Sequence, residues 1–185
     1  GVDCGGSCAP CNPSNCSNIT IDVNDFETTF GIWNDGGSDC RVSSADQLYA
    51  NSGIFCVRLR DNSSSSVLTS DILNLTSLEE ITVDFYYYPR SMDNFTEDFW
   101  LQISTNGGAT FTTIEEWNQG DEFQNNERKF DSVTIPGPFS TATVLRFRCD
   151  ASSNADYVYL DDIIITGCQS SARISDPIFA EQATS

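Results

Sequence analysis

The chain of 185 residues carries a formal charge of −18, with nine basic against twenty-seven acidic residues, a pI near 4.1 and no histidine. Acidity on this scale repels phosphate backbones and anionic membranes, which argues against nucleic acid as a partner. No apolar run reaches the roughly 18 residues that would point to membrane insertion. The missing histidine removes Ser-His-Asp and Cys-His catalysis, while 39% hydrophobic and 11% aromatic residues suffice for one sizeable core.

The first sixteen residues, GVDCGGSCAPCNPSNC, hold four of the eight cysteines among Gly, Pro, Ser and Asn. Such a segment cannot form a core, so residues 1–18 read as a cysteine-rich extension, 19–168 as the domain and 169–185 as a tail or linker. An even cysteine count without histidine points to disulfides at Cys4, Cys8, Cys11, Cys16, Cys40, Cys56, Cys149 and Cys168. A zinc site of Cys4, Cys8, Cys11 and Cys16 is the alternative for the first four. Cys40 and Cys56 are spaced to close a local loop, whereas Cys149 and Cys168 are out of register as hairpin partners and point to another strand or the N-terminal segment. The composition, with no starting Met, reads as a mature secreted or cell-surface chain. Asn15, Asn18, Asn62, Asn74 and Asn94 begin N-glycosylation tripeptides.

From Ile19 onward, short alternating runs are bounded by Gly, Asn, Asp and Ser clusters. Strands are predicted at 55–61, 80–88, 98–104, 110–117, 132–136 and 143–149, with a tight turn at Asn106-Gly107-Gly108 and a last strand in DYVYLDDIIITGC. No long helical pattern interrupts them. So many short strands predict an all-β, two-sheet antiparallel β-sandwich, jelly-roll-like and stapled by disulfides, with irregular N- and C-terminal extensions.

Alternation also assigns faces. Phe55, Val57, Leu59, Ile81, Val83, Phe85, Phe99, Leu101, Ile103, Leu145 and Phe147 form the predicted core. Facing outward are Arg58, Arg60, Tyr86, Tyr88, Trp100, Gln102, Arg146 and Arg148, to which Asp161 of the last strand is added. Rings beside guanidinium and amide groups fit a platform on which sugars stack and hydroxyls are hydrogen-bonded. Cross-strand Arg–carboxylate pairing on a solvated face is the plainer reading of the same residues. In the last strand, Val158, Leu160, Asp162 and Ile164 are predicted to share the inner face, with Tyr157, Tyr159 and Asp161 outside.

The doublets Glu79-Glu80, Glu97-Asp98 and Glu115-Glu116 face opposite ways along a strand and cannot straddle one glycosidic bond, so no enzyme is expected. Hard-cation chemistry fits better: Asp25 and Glu27 near the start and Asp161 or Asp162 near the end, Asp162 the favoured one, are the expected ligands of a structural Ca2+. The plainer reading is that Asp162 accepts hydrogen bonds from loop amides or pairs with an arginine.

The stretches NDFETTFGIWND, FWLQISTNGGATFTTI and YVYLDDIIITGC resemble the MAM-like and carbohydrate-binding-module β-sandwiches of secreted proteins, over about residues 19–168. That resemblance implies a sandwich-edge calcium site using Glu27 and Asp162. The opening VDCGGSCAPC is similar to cysteine-rich linkers in large surface proteins of marine bacteria, especially Bacteroidetes. The expected function is a non-catalytic extracellular module that binds polysaccharide or glycoprotein glycans, acidic or sulfated ones included, or mediates surface adhesion. The competing expectation is a structural subunit of a filament or other assembly, whose tails pack on copies of itself.

Overall fold

The alternating runs become strands whose ends lie within a few residues of those predicted. The computed structural model describes residues 16–170, in which eleven strands follow one another: β1 Cys16–Asn24, β2 Trp33–Asp35, β3 Cys40–Val42, β4 Val57–Arg60, β5 Val67–Ser70, β6 Leu78–Arg90, β7 Asp98–Ser104, β8 Thr112–Asn118, β9 Lys129–Pro136, β10 Val144–Asp150 and β11 Tyr157–Ser170. A 3-10 turn of helix at Ser44–Tyr49 sits between β3 and β4, its N-cap Ser43 accepting from the Ala45 amide. β1 takes in Cys16, Ser17 and Asn18, which the sequence had assigned to the extension, because their backbones pair with Ser170, Gln169 and Cys168.

Two antiparallel sheets result. The first has the order β3-β4-β11-β6-β9, with β1 also paired to β11; the second has the order β2-β5-β10-β7-β8. β11 is long enough to pair with β4 at one end, β1 at the other and β6 throughout, and so it ties the first sheet together. Between the sheets Phe85 meets Phe147 and Trp117 edge-on, at centroid distances of 4.8 and 5.3 Å, and Phe99 stacks on Trp117 at 4.7 Å. Each such pair adds about 1 kcal/mol to the stabilisation from burial itself. Val57, Leu59, Ile81, Val83, Phe85, Phe99, Leu101, Leu145 and Phe147 lie in this core as predicted, and Ile103 packs at its margin. Phe55 is the exception: it precedes β4 and is half-buried in the loop.

Three cysteine expectations change. Cys16 bonds Cys168, closing β1 onto β11, which agrees with Cys168 reaching the N-terminal segment and removes Cys16 from any four-thiolate zinc site. Cys40 and Cys56 do not close a loop; both are free and buried, Cys40 in the main core and Cys56 in a separate cluster with Ala50 and Tyr159 on the outer side of the first sheet. Cys149 is also free, facing the core from β10. Burial pushes all three thiols up to about 12, so they serve as small apolar side chains. Cys4, Cys8 and Cys11 lie outside the described residues.

The predicted inner face of the last strand is corrected by a β-bulge. Asp161 pairs with Tyr86 and Ile164 with Asp84, so Asp162 and Ile163 together oppose Phe85 alone. Asp162 supplies the extra residue at φ 47°. The phase of alternation flips there: Val158 and Leu160 face the core before the bulge, and Ile163 and Ile165, not Asp162 and Ile164, face it afterwards.

Candidate functional site

The predicted platform is two faces, not one. Arg58 and Arg60 on β4, Tyr86 and Tyr88 on β6 and Asp161 on β11 belong to the first sheet. Trp100 and Gln102 on β7, with Arg146 and Arg148 on β10, belong to the second. Every one of these side chains points outward from its sheet as predicted, but the two groups look out from opposite sides of the sandwich. Alternation reports in from out; strand order decides which sheet.

On the second sheet the register lines up three rows. Thr69, Arg146 and Gln102 are cross-strand neighbours, followed by Val67, Arg148, Trp100 and Glu116, and then Asp150, Asp98 and Asn118. In the first row Gln102 Oε1 accepts from Arg146 Nε at 2.9 Å and Nη2 at 2.6 Å, and Gln102 Nε2 donates to Thr113 Oγ1 at 3.1 Å. The Arg146 guanidinium carbon lies 3.6 Å from the centroid of the Phe111 ring. This row is therefore rigid, each long side chain held by its neighbour. Burial, and after it the charge of Arg148, pulls Arg146 below the usual guanidinium value.

The other two rows are unfinished. Arg148 lies over the Trp100 ring at 5.2 Å, yet its Nε has no acceptor. The Trp100 indole N–H and Asp98 Oδ1 are likewise buried without a hydrogen-bond partner. The other two tryptophans differ: Trp33 donates to Asp22 at 3.1 Å and Trp117 to Asp131 at 2.7 Å, both rings filling the core. Burial, then the charges of Glu116 and Asp150, push Asp98 up to about 7, against a smaller opposing effect of the Trp100 indole. Sequence reasoning weighed Asp98 and Glu116 only as members of catalytic doublets and did not single out Phe111, Thr113 or Asp150. The pairing of β7 with both β8 and β10 brings them in, and no local motif signals it.

The first-sheet group is partly covered. The segment 44–55 folds over it, Tyr49 stacking on Tyr159 at 4.2 Å and tilting against Tyr88 at 5.2 Å. Asp161 Oδ2 accepts from the Asn51 and Ser52 amides at 2.6 and 3.0 Å, and burial raises its carboxyl to about 6. Arg60 pairs with Asp39 at 3.0 Å. Tyr86 lies against Phe130 at 5.2 Å.

Two of the three expected calcium ligands, Glu27 and Asp162, hold this same loop. Glu27 Oε1 accepts from the Ile54 and Phe55 amides, both at 2.7 Å. Asp162 accepts from Asn51 Nδ2 at 2.6 Å and Ser52 Oγ at 2.8 Å. Asp25 accepts from the Glu27 amide at 3.1 Å. Asp25 and Asp162 line one cleft of about 320 Å3 with Asp84, Asn51 and Tyr86, while Glu27 lines a neighbouring one of about 200 Å3. The donors are oxygen, as a hard cation requires. Their arrangement serves hydrogen bonds, and among the described residues no group of three acidic side chains is set to hold a metal. Of the glycosylation tripeptides, Asn18, Asn62, Asn74 and Asn94 are exposed. Asn15 and the tails expected to pack on neighbouring copies lie outside the described residues.

No protein-family model matches the chain, and no curated protein matches it significantly. Solved structures do. The CBM22-1-GH10 modules of Clostridium thermocellum endo-1,4-β-D-xylanase 10B, complexed with xylohexaose, align with TM-score 0.58 and 18% identity over 80% of this chain and 28% of that one. A xylan-binding domain of CBM 22 aligns with TM-score 0.55 and 12% identity, over 82% of this chain and 96% of the other. The K1 cleaved adhesin domain of Lys-gingipain from Porphyromonas gingivalis W83 aligns with TM-score 0.56 and 14% identity, over 84% and 99%. At these identities the likeness establishes the fold alone, a two-sheet antiparallel β-sandwich. The aligned part of this chain spans only about a quarter of the length of the two-module xylanase structure.

Proposed function

We propose that the chain is a non-catalytic extracellular module that binds a glycan across the outer face of the second sheet. The observation that carries this reading is the run of three buried polar groups on that one face that lack a well-formed hydrogen bond: Asp98 Oδ1 and the Trp100 indole N–H, which lie near each other without meeting bonding geometry, and Arg148 Nε. Buried polar groups are almost always paired, so neighbouring exceptions on one face call for partners, and a ligand is one that can supply them. A sugar ring does so naturally, its hydroxyls donating to a carboxylate and accepting from N–H groups while its apolar face lies on an aromatic ring. The xylohexaose complex and the xylan-binding domain among the structural neighbours support a glycan as the ligand class. The Cys16–Cys168 disulfide supports an oxidising, extracellular setting.

Charge refines the ligand. Arg146 and Arg148 share the face with Asp98, Asp150 and Glu116, so the face carries no surplus of positive charge. A neutral polysaccharide suits it better than the acidic or sulfated one that the arginines suggested in isolation. Affinity electrophoresis through gels containing neutral polysaccharides tests the reading. Trp100→Ala should weaken retention about tenfold through lost stacking and hydrogen bonding, while Tyr88→Ala on the other sheet leaves it unchanged. Absence of retention on every polysaccharide, or equal retention of both variants, contradicts it.

A structural calcium ion at Asp25, Glu27 and Asp162 belongs to the same proposal. It rests on the oxygen-donor chemistry of these three carboxylates and on the sequence resemblance. Equal unfolding midpoints with and without a chelator would remove it.

A further inference from the structure

The first-sheet half of the predicted platform has a chemistry of its own. β3, β4, β11 and β6 set Arg41, Arg58, Tyr159 and Tyr88 in one row, and Arg60, Tyr157 and Arg90 in the next. Four of the nine basic residues thus gather on one part of a chain whose net charge is −18. Two of them are neutralised: Arg41 pairs with Asp46 and Arg60 with Asp39, each at 3.0 Å. Asp39 also accepts from Ser63 and Ser65, which completes its shell. Arg58 and Arg90 belong to no ion pair among the described residues.

Arg58 is the more telling of the two. It is only 7% exposed, its Nε is buried without an acceptor, and its guanidinium carbon lies 5.3 Å from the centroid of the Tyr157 ring. Arg90 approaches the same ring to 5.7 Å and the Tyr49 ring to 5.2 Å. Stacking on tyrosine orients a guanidinium without satisfying its N–H edge; Arg90 also bonds the Tyr159 hydroxyl, whereas Arg58 Nε has no acceptor. Burying a cation without a paired anion is costly, and burial, followed by the charge of Arg41 and against a smaller opposing effect of Asp46, already pulls Arg58 below the usual guanidinium value. Asp161, the carboxylate on this face of β11, accepts from the Asn51 and Ser52 amides.

We propose that Arg58 and Arg90, set against the Tyr157 ring, form an oxyanion site for a sulfate or carboxylate group, on the opposite side of the sandwich from the glycan face. Guanidinium forks bind such groups through paired, charge-assisted hydrogen bonds, and an anion there balances two guanidinium charges that no ion pair among the described residues neutralises. The group comes from a free ion or from a sulfated or uronic sugar. Binding at this site does not depend on the Trp100 face, so either can fail without the other.

The test is a side-chain 1H–15N NMR titration of the arginine Nε–H signals in the full chain. The Arg58 signal, identified by its loss in Arg58→Lys or by through-bond correlation, should move saturably with sodium sulfate or sodium glucuronate and stay put with sodium chloride at equal ionic strength. Arg90→Gln, at a half-buried position where folding is retained, should weaken this response about tenfold, and Arg148→Gln should leave it unchanged. A stronger response to a sulfated disaccharide than to inorganic sulfate assigns the site to glycan; an equal one assigns it to the free ion. No movement, the same movement with chloride, or indifference to Arg90→Gln overturns the proposal.

Discussion

Asp98→Asn should stabilise the protein at alkaline pH and not at acid pH. The carboxyl is 7% exposed, Oδ1 has no hydrogen-bond partner, and burial with the charges of Glu116 and Asp150 raises it from 3.8 to about 7. The folded chain therefore keeps a proton on Asp98 that the unfolded chain has released. Across the window from 3.8 to about 7 this group makes stability fall as pH rises, and above about 7 its cost is constant. A gap of about 3 units corresponds to at most about 4 kcal/mol. Glu116 is exposed, so water screens its share and about 2 kcal/mol is the more realistic figure. Asparagine preserves the shape, removes the charge and can donate to Glu116. Thermal unfolding at pH 8.5 should show a midpoint higher by about 4–8 °C in the variant, with the gain vanishing near pH 4. An equal difference at both pH values, or a less stable variant at pH 8.5, would refute the account of this carboxyl.

Other expectations can be checked with the same preparations. Gly53→Ala places a Cβ 2.3 Å from the Glu27 carboxyl carbon at φ 59° and should cost about 2 kcal/mol or more in urea unfolding. Gly120→Ala, at φ 90° with nothing within 4 Å, should cost only the backbone strain of about 1 kcal/mol. Cys16→Ser with Cys168→Ser opens a crosslink spanning 152 residues and should lower stability by about 2–4 kcal/mol, visible as a lower urea midpoint. Cys40, Cys56 and Cys149 should resist a thiol reagent in the native protein and react once denaturant is added, since burial holds their thiols protonated.

What could be read from the sequence follows from the range of the interactions involved. β7 was predicted at its observed bounds, Asp98–Ser104, because its alternation is long enough to show a period of two. β2 and β3 have three residues each and β5 four, too few for a period, and their place is set by partners distant in sequence. The reversal of alternation at Asp162 had no signal either, since a left-handed aspartate in an apolar run looks like any other residue until its partner strand is known. The face residues Trp100, Gln102, Arg146 and Arg148 were found by alternation alone. Their separation from Arg58, Arg60, Tyr86, Tyr88 and Asp161 needed the strand order. Asp98 and Asp150 joined the site only because β7 and β10 are neighbours.

The central claim is that the Trp100 face takes a glycan, and the chain contains three tryptophans, two of them core residues with satisfied indole N–H groups. Titrating xylohexaose while observing the three indole Nε1–H NMR signals therefore has two internal references. The account predicts that the Trp100 signal moves saturably while those of Trp33 and Trp117 hold still. If xylohexaose and other neutral oligosaccharides leave the Trp100 signal unmoved, or if all three signals drift together, the account is contradicted.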